Sequence, residues 1–451
     1  MPGAPATPPH RGDRGDGTPA APPRADPRPG PGENRGAIPY PRTVAEPGHG
    51  SRLTGMAPRP HAPEHAPERP GTAEMLARLV AFDTTSRNSN LALIEHVRAY
   101  LDAHAVPYRL SFDPSGTKAN LHATIGPHGP GGIALSGHVD TVPVDGQAWT
   151  GDPFTLRRRD GRLIGRGAAD MKGFVASCLA AVPDLQAAGL TRPIHLFLSY
   201  DEEVGCDGAR RLIADMEESG LKPELCIVGE PSGMAPVLAH KGRLALRVAV
   251  RGWPGHSSEP ARGANAVHAA AEAVAWAAAE ARRFAAEGPF EDGFDPPHTT
   301  VQVGTIEGGT GLNIIPERAS FTMEWRTVPA DDAFAELDRM RAFVAATIEP
   351  GLRAVHPDCG VEFEVLNWLP GLSLDPDHAL TALVRGLTGS NDAGKVSYGT
   401  EAGLYQQAGI PAIICGPGSI QQAHRPDEWI AQSQLDACDA FIRRLAARCA
   451  A

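Results

Sequence analysis

The sequence IHLFLSYDEEVG, residues 194–205, is an apolar stretch that leads through Tyr200 into three consecutive acids. The β-type run over 194–199 predicts a buried strand, and helical spacing over 209–218 predicts that a helix follows it. Open α/β sheets bind their ligands where strands end. Three adjacent carboxylates repel one another unless a cation neutralises them, so the segment is either a solvated loop or part of a metal site.

The same alternation of strand and helix extends in both directions from this segment. Apolar residues recur at helical spacing over 73–82 and 91–104, and a further helix is predicted over 171–188. Short β-type runs lie at 120–125, 132–136 and 225–228. Strands and helices that alternate in this way predict an α/β layered sheet that is at least partly parallel.

A different order of elements occupies the middle of the chain. The pattern predicts a strand, a long helix, two strands, a helix and a strand, over residues 244–250, 264–284, 301–306, 320–326, 331–347 and 361–366. This order is that of an α+β fold of the ferredoxin-like type. Beyond it the α/β pattern resumes, with a helix at 378–387, a strand at 411–415 and a helix at 435–447. We therefore predict a discontinuous α/β domain, residues 71–239 and 369–451, with an α+β domain, residues 240–368, inserted into it.

Residues 1–70 contain 18 of the 43 prolines and few large apolar side chains. Such a segment buries too little apolar surface to offset its ordering entropy, so a disordered Pro/Gly-rich extension is predicted. It is either an interaction tail or an extension without function, and Met56 or Met75 is an alternative start of the protein.

The composition limits the partners and the compartment. A net charge of -11 argues against binding to nucleic acid or an anionic membrane, because both need a basic surface. The seven cysteines are dispersed, which indicates reduced thiols rather than a disulfide framework. No apolar run approaches the roughly 18 residues of a membrane span, and no apolar signal segment is visible at the N-terminus. A cytoplasmic protein is expected.

Histidines and carboxylates follow several of the predicted strands. The segments that carry them are SGHVDTVP (136–143), GRGAADMKG (165–173), YDEEVG (200–205), GEPS (229–232) and AHRPDE (423–428). Each is weak evidence alone; Asp170, for example, also suits a helix N-cap. Together, two histidines and three carboxylates match the mixed nitrogen and oxygen ligands of paired Zn²⁺ ions. Glu202, beside Glu203, is a surplus carboxylate of the kind that a two-metal hydrolase uses as its base.

In order and spacing these five segments resemble the M20 metallopeptidase family, and the resemblance covers about residues 72–450. It implies a metal-dependent exopeptidase-like catalytic domain with an inserted ferredoxin-like lid and dimerisation domain. It also implies a cis peptide bond after Asp170 and two Zn²⁺ ions, for which Co²⁺ can substitute. The implied roles are Asp170 as bridging ligand, His138 and Glu230 on one metal, Glu203 and His424 on the other, Glu202 as base and Asp140 behind His138.

Within that family the closest resemblance is to the acetylornithine deacetylase branch. GWPGHSSEPARGAN (252–265) is similar to its lid segment, which implies that His256 reaches an active site across a dimer interface and stabilises an oxyanion; without the resemblance, His256 reads as a surface histidine. Asn313 resembles a lid-turn residue near the substrate. Arg326 either holds a substrate carboxylate or is an ordinary surface arginine.

YGTEA (398–402) is the most discriminating stretch, since the related desuccinylases carry a GTSDGR-like segment there. Its Glu401 either meets a substrate ammonium group or caps the following helix. The resemblance implies removal of the acetyl group from N2-acetyl-L-ornithine, giving ornithine and acetate for arginine biosynthesis, by a homodimer. The alternatives are another N-acyl amino acid deacylase, a succinyl-diaminopimelate desuccinylase, a dipeptidase, or a metal-stabilised binding protein without turnover.

Overall fold

The computed structural model describes residues 67–451, so the predicted disorder of residues 1–70 lies outside the described residues except at 67–70. The strands are β1 (Tyr108–Phe112), β2 (Ala119–Ile125), β3 (Ile133–His138), β4 (Arg157–Arg159), β5 (Arg162–Ile164), β6 (Ile194–Ser199), β7 (Leu225–Pro231), β8 (Val237–His240), β9 (Gly242–Arg251), β10 (Gly255–His256), β11 (Thr300–Gly308), β12 (Ile314–Ile315), β13 (Arg318–Thr327), β14 (Gly360–Leu369), β15 (Leu372–Ser373), β16 (Gly394–Val396), β17 (Ala412–Gly416) and β18 (Trp429–Ala431). The α-helices are α1 (Thr72–Val80), α2 (Leu91–Ala103), α3 (Lys172–Ala180), α4 (Val182–Ala187), α5 (Asp207–Ser219), α6 (Ala266–Glu287), α7 (Ala333–Phe343), α8 (Glu349–Val355), α9 (Ala379–Thr388), α10 (Ala402–Gln407) and α11 (Gln432–Cys449).

The larger sheet is mixed, with a parallel centre. Its strand order is β1-β2-β6-β3-β7-β17-β8-β15, with β16 paired to β8. Strands β6, β3, β7 and β17 run parallel to one another, whereas β1, β2 and β15 pair antiparallel with their neighbours. The strands β3 and β6 are buried along their whole length, as expected of central strands covered by helices on both faces. This sheet confirms the predicted α/β class.

The smaller sheet contains the strands of the inserted region, in the order β11-β13-β9-β14, and all of its pairs are antiparallel. With α6 between β9 and β11, and α7 and α8 between β13 and β14, this is the ferredoxin-like arrangement that the sequence predicts. We call the region from β9 to β14 the lid domain. The predicted domain limits of 71–239, 240–368 and 369–451 stay predictions.

The core of the lid domain is formed by alternate residues of two strands and by one face of a helix. Every second residue of β9 from Leu244 to Val250 is buried, as is every second residue of β13 from Ala319 to Trp325. The helix α6 presents an alanine face to them, and small side chains allow a close approach of helix and sheet. The helix begins where the Asn265 side chain accepts a hydrogen bond from the backbone N–H of His268.

Two helices that the sequence predicts as continuous are interrupted in the structure, so their predicted continuity is wrong. The helix expected over 171–188 is divided into α3 and α4, because Pro183 lies in the first turn of α4 and cannot continue the hydrogen bonds of α3. The helix expected over 331–347 begins at Ala333, passes into a π-helical turn over Val344–Ile348 and continues as α8, with Pro350 in its first turn. In the part of the chain that the structure describes, no helix is long and apolar enough to cross a membrane.

Two buried histidines on adjacent strands make the stability of the folded chain dependent on pH. His122 Nε2 on β2 lies 3.0 Å from His195 Nδ1 on β6. Burial lowers the pKa of His122 from 6.5 to about 3 and also lowers that of His195. Below pH 6.5 the unfolded chain therefore binds protons that the folded chain does not, and stability falls as the pH falls.

Below the pKa that His122 has in the unfolded chain, we expect its titration to lower the unfolding free energy by up to about 1.4 kcal/mol for each unit by which the pH falls. Urea denaturation of the chain and of His122→Asn, both with chelator, over a pH series measures this. The variant should be less stable near neutrality but should depend less steeply on pH. Parallel pH profiles for the two proteins would contradict the assignment.

Candidate metal centre

Five segments meet at one edge of the larger sheet. His138 is the last residue of β3, Glu230 lies near the end of β7, and Glu202 and Glu203 follow β6. Because these three strands are adjacent and parallel, their carboxyl ends lie side by side. Asp170 precedes α3, and His424 lies in the loop before β18. The structure thus brings together all the metal-ligand candidates that the sequence predicts.

Asp170 lies between the two histidines. Its Oδ1 is 3.1 Å from His138 Nε2, and its Oδ2 is 3.3 Å from His424 Nε2. Glu230 Oε1 is 3.7 Å from the same nitrogen of His138, and Glu203 Oε2 is 3.0 Å from that of His424. One carboxylate that offers a different oxygen to each half of the site has the geometry of a bridging ligand. The Asp170–Met171 peptide bond is cis, which confirms that prediction.

The donor atoms are close enough to share metal ions. His138, Glu202 and Glu230 each offer one donor atom within 4.8 Å of the others, and so do His138, Asp170 and Glu203. Imidazole nitrogens and carboxylate oxygens are ligands suited to Zn²⁺ and similar divalent cations. The residues therefore fit a pair of such ions. Glu202 lies within the first group, so the geometry allows it either as a ligand or as the base; its predicted role as base stays a prediction.

Crowding of negative charge dominates the electrostatics of the site. Burial and neighbouring carboxylates raise the pKa of Glu202 and of Glu230 well above their ordinary values. Burial and the charge of Asp170 raise the pKa of Glu203 to about 7. Burial opposes ionisation of Asp170 as well, but hydrogen bonds with His138 and His424 lower its pKa below the ordinary range. Hydrogen bonds to Asp170 and Glu203 raise the pKa of His424 to about 10.

Asp140 connects the ends of three segments. Its carboxylate accepts hydrogen bonds from Ser86 Oγ at 2.7 Å and from the backbone N–H groups of Glu202 and Glu203 at 3.1 and 3.3 Å. His138 Nδ1 lies 3.0 Å from the Asp140 carbonyl oxygen and 3.4 Å from its carboxylate. Asp140 therefore lies behind His138, as the resemblance implies, and orients its ring, with the main-chain oxygen as the nearer partner.

Glu428 holds the loop that ends in Asp170. Its Oε1 accepts hydrogen bonds from the backbone N–H groups of Ala169 at 2.8 Å and Asp170 at 3.0 Å. Its Oε2 accepts from Gly167 N at 2.9 Å and Arg166 Nη1 at 2.8 Å. All four bonds are inside the protein, since Glu428 and Arg166 are both 1% exposed. Glu428 is the last residue of the AHRPDE segment, and this role was not predicted from the sequence.

The remaining candidates lie in three separate places. Glu401 is buried, and its carboxylate accepts hydrogen bonds from two serines of the larger sheet rather than facing solvent or the backbone of α10. His256 and Asn313 are exposed and belong to one small ribbon, in which Ser257 N donates to Asn313 O at 3.1 Å. Arg326 Nε donates to Glu324 Oε1 at 3.0 Å on the same lid strand.

Within residues 67–451, no hydrogen bond or ion pair links His256, Asn313 or Arg326 to the metal-ligand candidates. The His256 ring instead contacts Ser258 Oγ at 2.7 Å. Their predicted contacts with substrate stay predictions. The sequence did not reveal Ser86 and Glu428 as supporting residues, because each forms hydrogen bonds with a group that is distant along the chain. Asp140 lies 54 positions from Ser86, and Asp170 lies 258 positions from Glu428.

The fold and the cluster are those of a metal-dependent hydrolase, and comparison with known proteins gives the family. Residues 134–448 match the model of Peptidase family M20/M25/M40, so the chain belongs to that family. It is 35% identical over 366 residues to an acetylornithine deacetylase of Photorhabdus laumondii, covering 81% of this chain and 92% of that one. It is 37% identical over 384 residues to an acetylornithine deacetylase of Myxococcus xanthus, covering 84% and 97%.

Solved structures show the same fold at low identity. The aminopeptidase PepT of Bacillus cereus has a TM-score of 0.63 at 20% identity, covering 84% of this chain and 98% of that one. The YXEP protein of Bacillus subtilis, described as a dinuclear metal-binding peptidase of the M20 family, has a TM-score of 0.56 at 17% identity, covering 84% and 98%. These likenesses confirm the predicted fold class.

The contacts of Glu428 predict a loss of metal affinity when it is changed. Glu428→Gln places an amide N–H₂ against backbone N–H donors and removes the negative charge that pairs with the buried Arg166. We expect about 10- to 100-fold weaker Zn²⁺ binding, as is typical when a group that orients a ligand is removed, measured by competition with a chromophoric chelator.

Asp427→Asn is the matched control for this variant. Asp427 is the neighbouring acid, and its carboxylate contacts Thr150 and Arg157 at the surface instead of the Asp170 loop. Asparagine also tolerates the positive φ of 53° found there. Equal affinities of the two variants for Zn²⁺ would contradict the role given to Glu428.

Proposed function

We propose that the protein is a two-metal amidohydrolase that removes the acetyl group from N2-acetyl-L-ornithine, giving acetate and ornithine. The observation that carries the chemistry is the Asp170 carboxylate between His138 and His424, with Glu202 among the surrounding donors. The choice of substrate is supported by the 35% and 37% identity to acetylornithine deacetylases. The reaction would belong to arginine biosynthesis, in the cytoplasm.

We assign the metal ligands by the halves of the cluster. His138 and Glu230 would hold one ion, Glu203 and His424 the other, with Asp170 between them. Zn²⁺ suits these nitrogen and oxygen donors, and Co²⁺ can take its place. When bound, two such ions acidify a water molecule and polarise the amide carbonyl of the substrate.

We propose that Glu202 transfers the proton. Its carboxylate takes a proton from the attacking water as the new C–O bond forms at the amide carbon, and it returns that proton to the nitrogen as the C–N bond breaks. Glu202, protonated in the first step, is then the proton donor of the second step. The direct products are acetic acid and the free amine, and transfer of the acid's proton to the amine gives acetate and the ammonium form of ornithine, so atoms and charge balance.

The lid domain would supply contacts with the rest of the substrate. We propose that Arg326 pairs with the substrate α-carboxylate and that Asn313 lies near the substrate when the lid is closed. His256 is exposed on its ribbon. It is therefore available to a partner subunit, and in a homodimer formed through the lid domains it would stabilise the oxyanion of the partner's site.

Turnover of a substrate panel tests the proposed reaction. We expect purified, Zn²⁺-loaded protein to cleave N-acetylornithine with a higher kcat/KM than N-acetylmethionine, N-succinyl-diaminopimelate or a dipeptide, and to lose activity with a chelator. Preference for another of these compounds would keep the hydrolase and overturn the substrate. If none is cleaved by protein that holds metal, the function of a metal-stabilised binding protein replaces the enzyme.

A single substitution tests the proton-transfer role. Glu202→Gln keeps the size of the side chain but cannot accept a proton, so we expect kcat to fall about 10²- to 10⁴-fold. The Zn²⁺ content per chain, measured by atomic emission, should not change. A variant that loses one equivalent of Zn²⁺ would show that Glu202 is a ligand rather than the base.

A further inference from the structure

Glu401 is a buried acid with both of its oxygens engaged by strands of the larger sheet. Its side chain is 0% exposed. Ser136 Oγ donates to Oε1 at 2.5 Å, and Ser199 Oγ donates to Oε2 at 2.7 Å. The Tyr405 hydroxyl lies 2.9 Å from Ser136 Oγ and can donate to it, since the serine proton points to Glu401. The three hydroxyl groups and the carboxylate thus form one connected network.

The two serines belong to the strands that carry the metal-ligand candidates. Ser136 lies two residues before His138 on β3, and side chains two apart in a strand point to the same face. Ser199 is the last residue of β6, is in register with His138, and precedes Glu202 by three residues. A single carboxylate therefore joins the two strand ends beneath the cluster.

The start of helix α10 fixes the backbone position from which the Glu401 side chain extends. Glu401 directly precedes α10, and the backbone N–H groups of Leu404 and Tyr405 donate to its carbonyl oxygen at 3.0 and 3.3 Å. Gly403 N donates to His240 Nε2 at 3.2 Å, which ties the same turn to the end of β8. Glu401 and Tyr405 thus reach the network from one rigid element of structure.

This arrangement disfavours direct contact between Glu401 and a substrate ammonium group. An ammonium ion would have to replace hydrogen bonds to Ser136 and Ser199 in the interior. The two serine hydroxyls would then be left without their acceptor, and an unpaired polar group in the interior is unfavourable. The carboxylate is already satisfied by the fold itself.

We infer that Glu401 is a positioning residue of the metal site, which acts by fixing β3 against β6 and thereby the distance from His138 to the acids that follow β6. The inference rests on the proposed function, because it assigns a role within the same site. Glu401 is then not a substrate-binding residue. Like Asp140 and Glu428, it holds the metal ligands in position.

The test compares Glu401→Gln and Ser199→Ala with the unchanged protein, using one substrate with a side-chain ammonium group and one without. The Gln variant replaces two charge-assisted bonds by weaker neutral ones, and one serine hydroxyl must reverse its direction to accept from the amide N–H₂. We expect kcat to fall about 10- to 100-fold for both N-acetylornithine and N-acetylmethionine, with KM little changed. Ser199→Ala should lower kcat for both in the same way, and the double variant should lose less than the product of the two effects.

The visible absorption spectrum of the Co²⁺-loaded protein reports the ligand geometry without any substrate. It should change in Glu401→Gln and in Ser199→Ala. The matched control is Glu280→Gln, another buried glutamate, which pairs with Arg283 and Arg339 in the lid domain. The control should lose stability on thermal unfolding while its Co²⁺ spectrum stays that of the unchanged protein.

Two results would overturn the inference. One is a rise in KM for N-acetylornithine alone, with N-acetylmethionine unaffected, because that pattern belongs to a lost substrate contact. The other is an unaltered Co²⁺ spectrum in both variants. If the unchanged protein cleaves no member of the panel, the proposed function fails, but the Co²⁺ spectra still decide whether Glu401 positions the metal ligands.

Discussion

The concentration of buried negative charge at the edge of the larger sheet is the constraint on which the site depends. Asp170, Glu202, Glu203 and Glu230 face a small common volume with His138 and His424 as the adjacent cationic partners. Buried like charges this close are costly unless protons or metal ions neutralise them. For this reason the pKa values of Glu202, Glu203 and Glu230 are raised. Divalent cations would remove it and, in doing so, supply the chemistry that the family uses.

A set of interior hydrogen bonds keeps the crowded groups in place. Asp140 fixes the turn after β6, Glu428 fixes the loop that ends in Asp170, and Glu401 joins β3 to β6. Each of these acids is itself buried and satisfied by several donors. The site therefore has a supporting layer of carboxylates that accept hydrogen bonds, beneath a layer of carboxylates and histidines that are free to take metal ions. Sites are accurate to the extent that such support is rigid.

Much of this was predictable because the information is local. Strand ends followed by acids are visible in the sequence at 138–140, 201–203 and 230, and their parallel order brings them to one edge. The division of the helix at Pro183 was missed, although proline carries the signal. The roles of Ser86, Ser136, Ser199 and Glu428 could not be read, because each depends on a partner far along the chain. Glu401 was predicted as a contact for substrate or a helix cap, since burial cannot be seen in a five-residue motif.

We propose that Asp170 is shared by two metal ions. Crystals of the Zn²⁺-loaded protein allow this to be measured by anomalous diffraction at the zinc edge. We expect two anomalous peaks, one on each side of the Asp170 carboxylate, one beside His138 and the other beside His424. A single peak, or two peaks that leave Asp170 outside the ligands of either ion, would contradict it.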